Sequence, residues 1–466
     1  MDSLGSFHTE NDQDFTNEMD RLQGLQAIIP QKLIDQVLFE MGKINTRRCT
    51  LTFSNLVWLV LAIALFTDKP LRGVYRCCKA FQQMRQCPSR SALCQGRKRL
   101  GSDVIRRLFY AIAGVLGLPD SDYCFYKGLR LMGIDGTRYD LPDTEANERA
   151  FGRPKGGAKS TSQGAFPQVS KLSLVEIGTH VEVAITIRPL DCAEQHAALR
   201  LLKHLKRGML LLLDSGFYGF PLLKQISLTG ADFLARVGNS PKFVPEKILA
   251  DGSFLTTITS ARSKRRSPEN SLKVRVICYT LDDPQRTGHQ VLHRLVTTLL
   301  DAEKYPAKEL IILYHERWEE ELVFDEQKTH QDPVRATKPT NLRSQTPAGV
   351  VQEIYALSII HFVTRKSMYE AAVRAGIDPD RLSFTGCFHI LQTRLPECPR
   401  DSWEGLTTWY ENLLTELIEE IIPPRRNRIN PRVVRQPRSK WNSKKPEHFG
   451  LPPLTKTFEE AILMAN

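Results

Sequence analysis

The chain has 466 residues, with 64 Lys and Arg against 52 Asp and Glu, and a formal net charge of +12. Its 41% hydrophobic and 25% charged residues are typical of a globular protein, and its length suggests roughly two or three domains. The longest apolar run, residues 57–66, is too short to cross a membrane, and no basic and apolar leader opens the sequence. We therefore expect a cytoplasmic protein with no membrane partner, whose ten cysteines, lacking any C-x-x-C pair, are reduced and mostly structural.

The first part of the chain has apolar residues at helical spacing. This spacing predicts helices over residues 31–42, around 57–66, over 71–84, and after Ser89, which precedes the fourth helix as a cap. The fourth helix has a basic face that includes Arg97, Lys98 and Arg99. Such a face suits contact with DNA, although basic helix faces are also common where a helix is merely solvated.

After residue 125 the pattern changes to strands joined by helices. Strands are predicted over residues 129–134, 171–177, 181–187, 209–213 and 232–237, with helices over 193–206 and 220–228. Short strand-like segments follow at 254–258, 272–279 and 294–299, and then a long helix over 307–329. This order of elements is that of the ribonuclease-H-like fold, which has three antiparallel strands, a helix, a parallel strand, a helix, a strand and a final helix.

We therefore predict an α/β protein with a ribonuclease-H-like core, a β-rich insertion before its last helix, and an N-terminal helical domain. Five segments are predicted along the chain: the helical domain at 1–125, the first part of the core at 126–237, the β-rich insertion at 238–303, the final core helices at 304–375, and a C-terminal helical region with a basic tail at 376–466.

The helix predicted over 307–329 carries one chemically distinctive stripe. At 100° per residue, an arc of about 60° contains Tyr314, Arg317, Glu321 and Lys328. Apolar side chains border this arc, whereas other glutamates, among them Glu326, fall on the face expected to meet solvent. A carboxylate between cations in an apolar arc is costly unless a ligand occupies it. Two alternatives stay open: a local pair between Arg317 and Glu321, and Asp325 as the carboxylate of the stripe.

Two aspartates each follow a predicted strand. Asp135 comes after residues 129–134 and Asp214 after the apolar run 209–213, at carboxyl ends of strands, where open α/β sheets place their sites. Each also has an ordinary explanation, since Asp135-Gly136 could form a turn and Asp214 could cap a helix. Together with Glu321 they supply three hard oxygen donors, the set that holds two Mg²⁺ or Mn²⁺ ions for in-line phosphoryl transfer.

Most of the excess positive charge lies near the C terminus. Residues 425–445 contain nine Lys and Arg residues and no acid, interrupted by Pro431 and Pro437. A proline-punctuated basic segment cannot pack as a helix but can bind a polyanion with release of counterions. A solvated, disordered tail is the alternative.

Residues 314–328 read Y-x2-R-x3-E-x6-K, which resembles the defining motif of the insertion-element-four family of DDE transposases. Four further blocks also resemble that family: Gly133-Ile-Asp135-Gly-Thr137, Leu212-Leu-Asp214-Ser-Gly-Phe-Tyr218, Arg294-Leu-Val-Thr-Thr298 and Leu342-Arg-Ser-Gln-Thr-Pro347. Any one block alone would be weak evidence for the family, but the order of the five blocks makes the resemblance specific, and it covers roughly residues 30–445.

The resemblance implies a cut-and-paste bacterial DNA transposase in which Asp135, Asp214 and Glu321 bind two divalent ions, Mg²⁺ or Mn²⁺. Water would nick the end of the element, the freed 3'-hydroxyl would form a hairpin with the opposite strand, a second water would open it, and the same site would join the end to target DNA. The implied partners are the terminal inverted repeats of the element, target DNA and a second copy of the chain in a synaptic dimer. The implied location is the nucleoid in the bacterial cytoplasm, with residues 1–125 binding the DNA ends.

The resemblance also implies direct DNA contacts. Tyr314, Arg317 and Lys328 would grip phosphates around the terminal nucleotides. Independently of the resemblance, the charge of the tail predicts that its basic residues, among them Arg425, Arg426 and Arg428, bind the DNA backbone. Relatives stack a flipped base on a tryptophan just ahead of the block matching residues 294–298. By position that residue here is His293, whose imidazole stacks less well.

Three other functions are alternatives to this one. A structure-specific nuclease without strand transfer would use the same carboxylates. A domesticated DNA-binding protein would have lost catalysis, which the presence of all three acidic residues opposes. A glycosidase with paired carboxylates is disfavoured because Arg317 and Lys328 would lower the pKa of the acid that it needs.

Overall fold

The computed structural model describes residues 19–47, 49–79, 86–119, 121–154, 164–260, 270–283, 290–314, 323–331, 342–399, 403–423, 433–434, 442–443 and 457–464. The predicted site residues outside these ranges are Arg317, Glu321, Arg425, Arg426 and Arg428. The chain divides into two compact units, each drawn from separate stretches. A helical unit comprises Met1–Gly114, Tyr139–Val169 and Phe324–Ile421, and a sheet unit comprises Val115–Arg138, Ser170–Val323 and Ile422–Asn466.

The α-helices within the described ranges are α1 (Gln31–Glu40), α2 (Phe53–Leu65), α3 (Leu71–Cys77), α4 (Arg90–Leu100), α5 (Ser102–Ile112), α6 (Glu145–Phe151), α7 (Glu194–Ala198), α8 (Phe220–Leu228), α9 (Ala307–Tyr314), α10 (Pro347–Ala375), α11 (Phe384–Arg394), α12 (Trp403–Leu417) and α13 (Phe458–Ala461). The strands are β1 (Phe125–Tyr126), β2 (Leu129–Asp140), β3 (Gln168–Glu176), β4 (Val181–Arg188), β5 (Met209–Leu213), β6 (Asp232–Val237), β7 (Lys247–Ile248), β8 (Phe254–Thr259), β9 (Ser271–Leu281), β10 (His293–Thr297), β11 (Val433–Val434), β12 (Asn442–Ser443) and β13 (Ile462–Met464).

One 11-stranded sheet forms the centre of the sheet unit. Its strand order is β4-β3-β2-β5-β6-β10-β9-β8-β7, with β1 also paired to β2 and β13 to β9. β5 runs parallel to both of its neighbours, β2 and β6, whereas β3 with β4 and β6 with β10 are antiparallel. Strands β2 to β6 follow the order along the chain that was predicted for a ribonuclease-H-like core, and β7 to β10 lie within the residues of the predicted β-rich insertion. The fold class is therefore confirmed.

The central strand β5 explains why the core forms at this place. All five of its residues are buried, because it lies between two parallel strands and is covered on both faces. Leu210 and Leu212 on one side of the strand join a cluster that includes Leu234, Leu295 and Leu310. This cluster joins β5, β6, β10 and α9, so the apolar core of the sheet unit ends at the strand edge that carries the predicted site.

The helical unit is built around α2, whose residues 55–65 are all buried. Thr52 caps the helix by accepting a hydrogen bond from the Asn55 amide at 3.1 Å. At the other end, Arg343 donates to the carbonyl oxygens of Ile63, Thr67 and Lys69 at 2.8–3.2 Å. The block at 342–347 therefore ties the end of α2 to the start of α10.

The predicted basic face of α4 is only partly exposed. Arg97 donates within the helical unit to the Gln352 side chain at 3.3 Å, to Ser344 Oγ at 3.1 Å and to the Gly349 carbonyl at 3.3 Å. Lys98 and Arg99 are exposed. The Arg97 guanidinium is therefore held by polar partners 247–255 residues away in sequence, which neither DNA contact nor simple solvation of this face had included.

Several element bounds were predicted well and others were not. Strand β6 covers the predicted residues 232–237, and the hairpin of β3 and β4 is antiparallel as expected. The helix predicted over 193–206 is wrong in length, since α7 ends at Ala198 and a 3-10 turn follows at Leu202–His204. In the part of the chain that the structure describes, no helix is both long enough and apolar enough to span a membrane.

Candidate active site

Asp135 and Asp214 are brought side by side by the register of two parallel strands. Ile134 of β2 pairs with Leu213 of β5, so the next residue of each strand is an aspartate at the same level of the sheet. Both aspartates are half-buried. Because β2 and β5 are adjacent, the two carboxylates stand at one edge, immediately beyond the apolar core.

The turn considered for Asp135-Gly136 is wrong, because β2 continues to Asp140. The Gly136 amide donates to Asp135 Oδ1 at 2.7 Å. A Cβ on Gly136 would lie 3.3 Å from Leu172 Cδ1 and 3.6 Å from the Lys171 carbonyl oxygen, both on β3. Glycine at this position therefore allows the neighbouring strand to pack closely beside Asp135.

Asp214 occupies the N-cap position of a 3-10 turn at Ser215–Phe217, but its side chain makes no capping hydrogen bond. The turn is closed instead by the main chain, with the Phe217 amide donating to the Asp214 carbonyl at 3.0 Å. Asp214 therefore occupies the N-cap position, as the capping explanation predicts, but its carboxylate does not cap the turn.

Tyr314, the first residue of the predicted stripe, packs against the same strand end. Its side chain is 8% exposed, and its hydroxyl donates to the Leu213 carbonyl oxygen at 3.1 Å. Tyr314 of α9 is therefore attached to the residue that precedes Asp214. In this structure the hydroxyl donates its hydrogen bond to the protein backbone, and a phosphate contact by it stays a prediction.

The described part of the stripe does not lie on one regular α-helix. α9 is described as far as Tyr314, Arg317 and Glu321 are outside the described residues, and Glu326–His330 forms a π-helical turn. Lys328 lies in that turn, with its Nζ 5.4 Å from the centre of the Tyr139 ring. The prediction of one α-helix over 307–329 was wrong at Lys328, because a π-turn has more residues per turn than the 3.6 assumed.

Glu326 was also predicted wrongly as a solvated side chain. It is 5% exposed, and its two carboxylate oxygens accept from the Arg365 guanidinium, one of them from Nε at 2.9 Å. His361 Nε2 lies 2.8 Å from the same carboxylate. Burial alone would lower the pKa of Arg365, but the charge and hydrogen bonds of Glu326 raise it. Asp325 is the alternative carboxylate, and its Oδ2 lies 3.3 Å from His330 Nε2.

His293 is the first residue of β10 and stacks on Tyr279 of β9, with ring centres 5.0 Å apart and planes inclined by 30°. Burial raises the pKa of Tyr279 to about 12, so the tyrosine is neutral at physiological pH. One face of the imidazole is thus covered by the protein. Stacking of a flipped base on His293 stays a prediction that concerns its other face.

Two features of the sheet unit were missed from the sequence. Glu194, at the start of α7, pairs with the buried Arg188 at 2.9 Å, and its Oε1 lies 3.4 Å from the position of a Cβ on Gly136. Arg294 donates to the Pro241 carbonyl at 2.7 Å and lies 5.5 Å from the Phe243 ring centre. The five-residue block beginning at Arg294 was a signal for this second feature. The sequence around Glu194 contained no signal that could have predicted its pairing with Arg188.

The donor set fits a hard divalent cation. Asp135 and Asp214 offer carboxylate oxygens, the ligands that Mg²⁺ and Mn²⁺ prefer, and their strands hold them together before any ion binds. Within the described residues no group of three or more His, Cys, Asp and Glu side chains is arranged to hold a metal. The third predicted ligand, Glu321, is outside those residues.

Two family descriptions match this chain, and two related proteins are similar to it. Residues 127–362 match the family described as "Transposase DDE domain", and residues 19–110 match "Insertion element 4 transposase N-terminal". The chain is 28% identical over 435 residues to "Transposase InsG for insertion sequence element IS4" of Escherichia coli (strain K12), covering 89% of this chain and 92% of that protein. It is 23% identical over 261 residues to the "Putative transposase InsZ" of the same organism, covering 53% of this chain and 86% of that protein.

A solved structure, the "Cryo-EM structure of piggyBac transposase synaptic complex with hairpin DNA", aligns with 88% of this chain and 86% of that chain at 12% identity and a TM-score of 0.41. The family matches identify the class of enzyme, a DDE-type transposase that depends on a divalent metal. The chain belongs to the insertion-element-four family of DDE transposases.

Proposed function

We propose that this transposase excises an insertion element by a nick, a hairpin and hairpin opening, and then joins the freed ends to target DNA. Asp135, Asp214 and Glu321 are the proposed ligands of two divalent ions. The observation that carries the proposal is the β2 to β5 register, which places two aspartates together where the apolar core ends. When bound, a pair of such ions activates the attacking oxygen and stabilises the leaving oxygen of an in-line displacement.

Each proposed step exchanges one phosphodiester bond. In the first, an oxygen of water bonds to phosphorus and the 3'-oxygen leaves. In the second, that 3'-oxygen bonds to phosphorus of the opposite strand, which closes a hairpin and releases the flanking DNA. A second water bonds to the hairpin phosphorus, from which the same 3'-oxygen leaves, and that 3'-oxygen then bonds to a target phosphorus while a target 3'-oxygen leaves. One site serves all four steps because each is an in-line displacement at phosphorus with a 3'-oxygen as the leaving group.

The remaining predicted residues receive roles around this centre. Arg317 and Lys328 supply positive charge for phosphates near the terminal nucleotides, Tyr314 and His293 contact the terminal nucleotides, and Arg425, Arg426 and Arg428 bind the backbone further out. The proposed partners are element ends with terminal inverted repeats, bound in part by residues 1–125, target DNA, and a second copy of the chain in a synaptic dimer. The proposed place of action is the nucleoid of the bacterial cytoplasm.

The test is a cleavage and joining assay on element-end DNA with Mg²⁺ or Mn²⁺, resolved on a denaturing gel. Nicked, hairpin and flush products should appear in that order, and pre-cut ends should join a target plasmid. Wild-type protein that nicks but yields neither a hairpin nor a joined product would be a structure-specific nuclease. Protein that binds the ends but never nicks them would be a domesticated DNA-binding protein.

The role of the basic tail has a separate test. Deletion of the chain after Pro424 removes all nine cations of residues 425–445. If they bind phosphates, the slope of log affinity against log salt should become shallower by about 0.9 for each phosphate that the shortened protein no longer neutralises. The slope is measured by titrating labelled end DNA at several salt concentrations. An unchanged slope would mean that the tail is solvated and binds no phosphate.

A further inference from the structure

Two consecutive residues at the start of α7 contact the chain directly after each of the two aspartates. Glu194 and Gln195 open this short helix, and both are half-buried. Glu194 Oε1 lies 3.4 Å from the position that a Cβ on Gly136, the residue after Asp135, would take. Gln195 donates hydrogen bonds to the loop that follows Asp214. The start of α7 therefore contacts both segments that carry a predicted metal ligand.

The Gln195 amide holds the loop after β5 by two hydrogen bonds. Its Nε2 donates to the Gly216 carbonyl oxygen at 3.0 Å and to the Tyr218 carbonyl oxygen at 3.3 Å. Gly216 lies within the 3-10 turn of which Asp214 is the N-cap and Tyr218 the C-cap. Carbonyl groups at the end of so short a turn need donors from elsewhere in the protein or from water. A side chain of α7 therefore braces the turn that begins after Asp214.

Gly219, the next residue of the loop, leaves the space that this brace needs. A Cβ on Gly219 would lie 2.8 Å from Gln195 Oε1, closer than a carbon and an oxygen normally approach without a bond. The backbone of Gly219 is extended, with φ of −173° and ψ of 132°, which any residue can adopt. The absence of a side chain at this position therefore serves the close approach of the Gln195 amide and not the conformation of the backbone.

An ion pair with β4 anchors the start of α7. Arg188, the last residue of β4, is 5% exposed, and its Nη2 donates to Glu194 Oε1 at 2.9 Å. Because one member of the pair is buried, water and salt screen it less than a pair on the surface. In the sheet, β3 and β2 lie between β4 and β5. Glu194 and Gln195 therefore connect the end of β4 to the loop that follows β5.

We propose that Gln195, anchored through the pair of Arg188 and Glu194, is a positioning residue for the reaction, which braces the loop after β5 and so keeps the Asp214 carboxylate beside Asp135. Asp135 lies within β2, whereas Asp214 lies one residue beyond β5, where pairing with β2 and β6 has ended. The brace supplies the constraint that strand pairing no longer gives. This inference rests on the proposed function, because it needs Asp214 as a metal ligand.

The experiment measures Mn²⁺ binding to the full-length protein by isothermal titration calorimetry. Gln195→Met removes the amide with little change in the length of the side chain. Gly219→Ala keeps the amide but fills the space that it occupies, so it displaces Gln195 without removing a polar group. It carries the test if Gln195→Met fails to fold. Gln225→Met is the matched control, since Gln225 is an exposed glutamine on α8 of the same unit.

Gln195→Met and Gly219→Ala should each weaken Mn²⁺ binding by roughly tenfold, the lower end of what losing a partner outside the ligand set costs a metal site. Gln225→Met should leave Mn²⁺ binding unchanged. In the Asp214→Asn background, Gln195→Met should weaken it no further, because both changes act through one carboxylate. Hydrogen exchange measured by mass spectrometry should become faster at the amides of residues 215–219 in Gln195→Met and Gly219→Ala, since the brace is lost in both.

The two proposals fail in different ways. If Asp214→Asn weakens Mn²⁺ binding while Gln195→Met and Gly219→Ala change only the free energy of unfolding or the hydrogen exchange, Gln195 has a merely structural role and the proposed ligand set stands. Effects that add in the double variant Gln195→Met/Asp214→Asn would lead to the same conclusion. If Asp214→Asn itself leaves Mn²⁺ binding unaltered, Asp214 is not a ligand, and the positioning role falls together with that part of the proposed function.

Discussion

The strand edge that carries Asp135 and Asp214 and the π-helical turn Glu326–His330 both hold charged side chains, but by different means. At the strand edge, register alone makes the two aspartates neighbours, and neither carboxylate serves as a turn or helix cap. In the π-turn, Glu326 is buried in an ion pair with Arg365, while Lys328 two residues later is half-exposed. The two aspartates of the strand edge are half-buried at the end of paired strands, whereas the buried charge of the π-turn serves the fold.

The largest expected effect tests the strand edge. Asp135→Asn and Asp214→Asn should each reduce cleavage of end DNA on the order of a thousandfold, because several kcal/mol of transition-state stabilisation depend on the ions they hold. Binding of the DNA and the free energy of unfolding should change little. Rates come from single-turnover cleavage, and Asp122→Asn, an exposed carboxylate of the sheet unit, is the control. A stable, fully active variant at either position would remove it from the ligand set.

The π-turn should show the opposite pattern. Glu326→Ala leaves the Arg365 guanidinium buried without its partner, so the free energy of unfolding should fall by about 3–5 kcal/mol. Urea denaturation followed by circular dichroism measures this. The double variant Glu326→Met/Arg365→Met should recover most of the loss, since it removes both charges. A loss as small as that of Glu404→Ala, an exposed glutamate of the helical unit for which we expect a change within about 0.5 kcal/mol, would mean that Glu326 is solvated after all.

Lys328 tests whether the exposed part of the π-turn has a role in catalysis. If it grips a terminal phosphate, Lys328→Ala should slow hairpin formation on pre-nicked ends by roughly tenfold or more and slow the first nick less, because only the hairpin step requires an aligned 3'-hydroxyl. Lys366→Ala, which removes a surface cation of the helical unit paired with Glu370, is the control. Equal slowing of both steps would contradict the special role in alignment.

The smallest effect concerns the contact between α9 and the strand edge. Tyr314→Phe removes the hydrogen bond to the Leu213 carbonyl and should lower the free energy of unfolding by about 1 kcal/mol. If this bond is the main task of the hydroxyl, the salt dependence of DNA binding should not change. A shallower salt slope in Tyr314→Phe would show that the hydroxyl leaves Leu213 and contacts a phosphate in the complex.

The parts of the site that lie on strands could be predicted from the sequence because their signal is local. A run of five apolar residues ending at Asp214 is a buried strand, and the order of elements then makes β2 its parallel neighbour. The burial of Glu326 could not be predicted, because its partners His361 and Arg365 are 35 and 39 residues away. Helical periodicity reports the spacing of residues on one element and contains no information about such partners.

The same limit explains why the partners of Arg97 and of the start of α9 could not be predicted. A basic residue on a helix face has the same sequence signal whether it meets solvent or a distant glutamine, as Arg97 does with Gln352. The Ala307 amide at the start of α9 donates to Asp251 of the insertion, 56 residues earlier in the chain. In both cases the partner comes from an element that only the fold brings near.

The contacts of Arg343 with the end of α2 have a consequence for the order of folding during synthesis. The Ile63 carbonyl receives its donor from 280 residues later in the chain, whereas the strands from β2 to β10 are complete once residue 297 has been made. Contacts between distant parts of a chain are slow to form because a long loop must first be closed. As the chain leaves the ribosome, strands β2 to β10, which set Asp135 beside Asp214, can therefore pair first. The end of α2 gains its hydrogen bonds from Arg343 only after that residue has been translated.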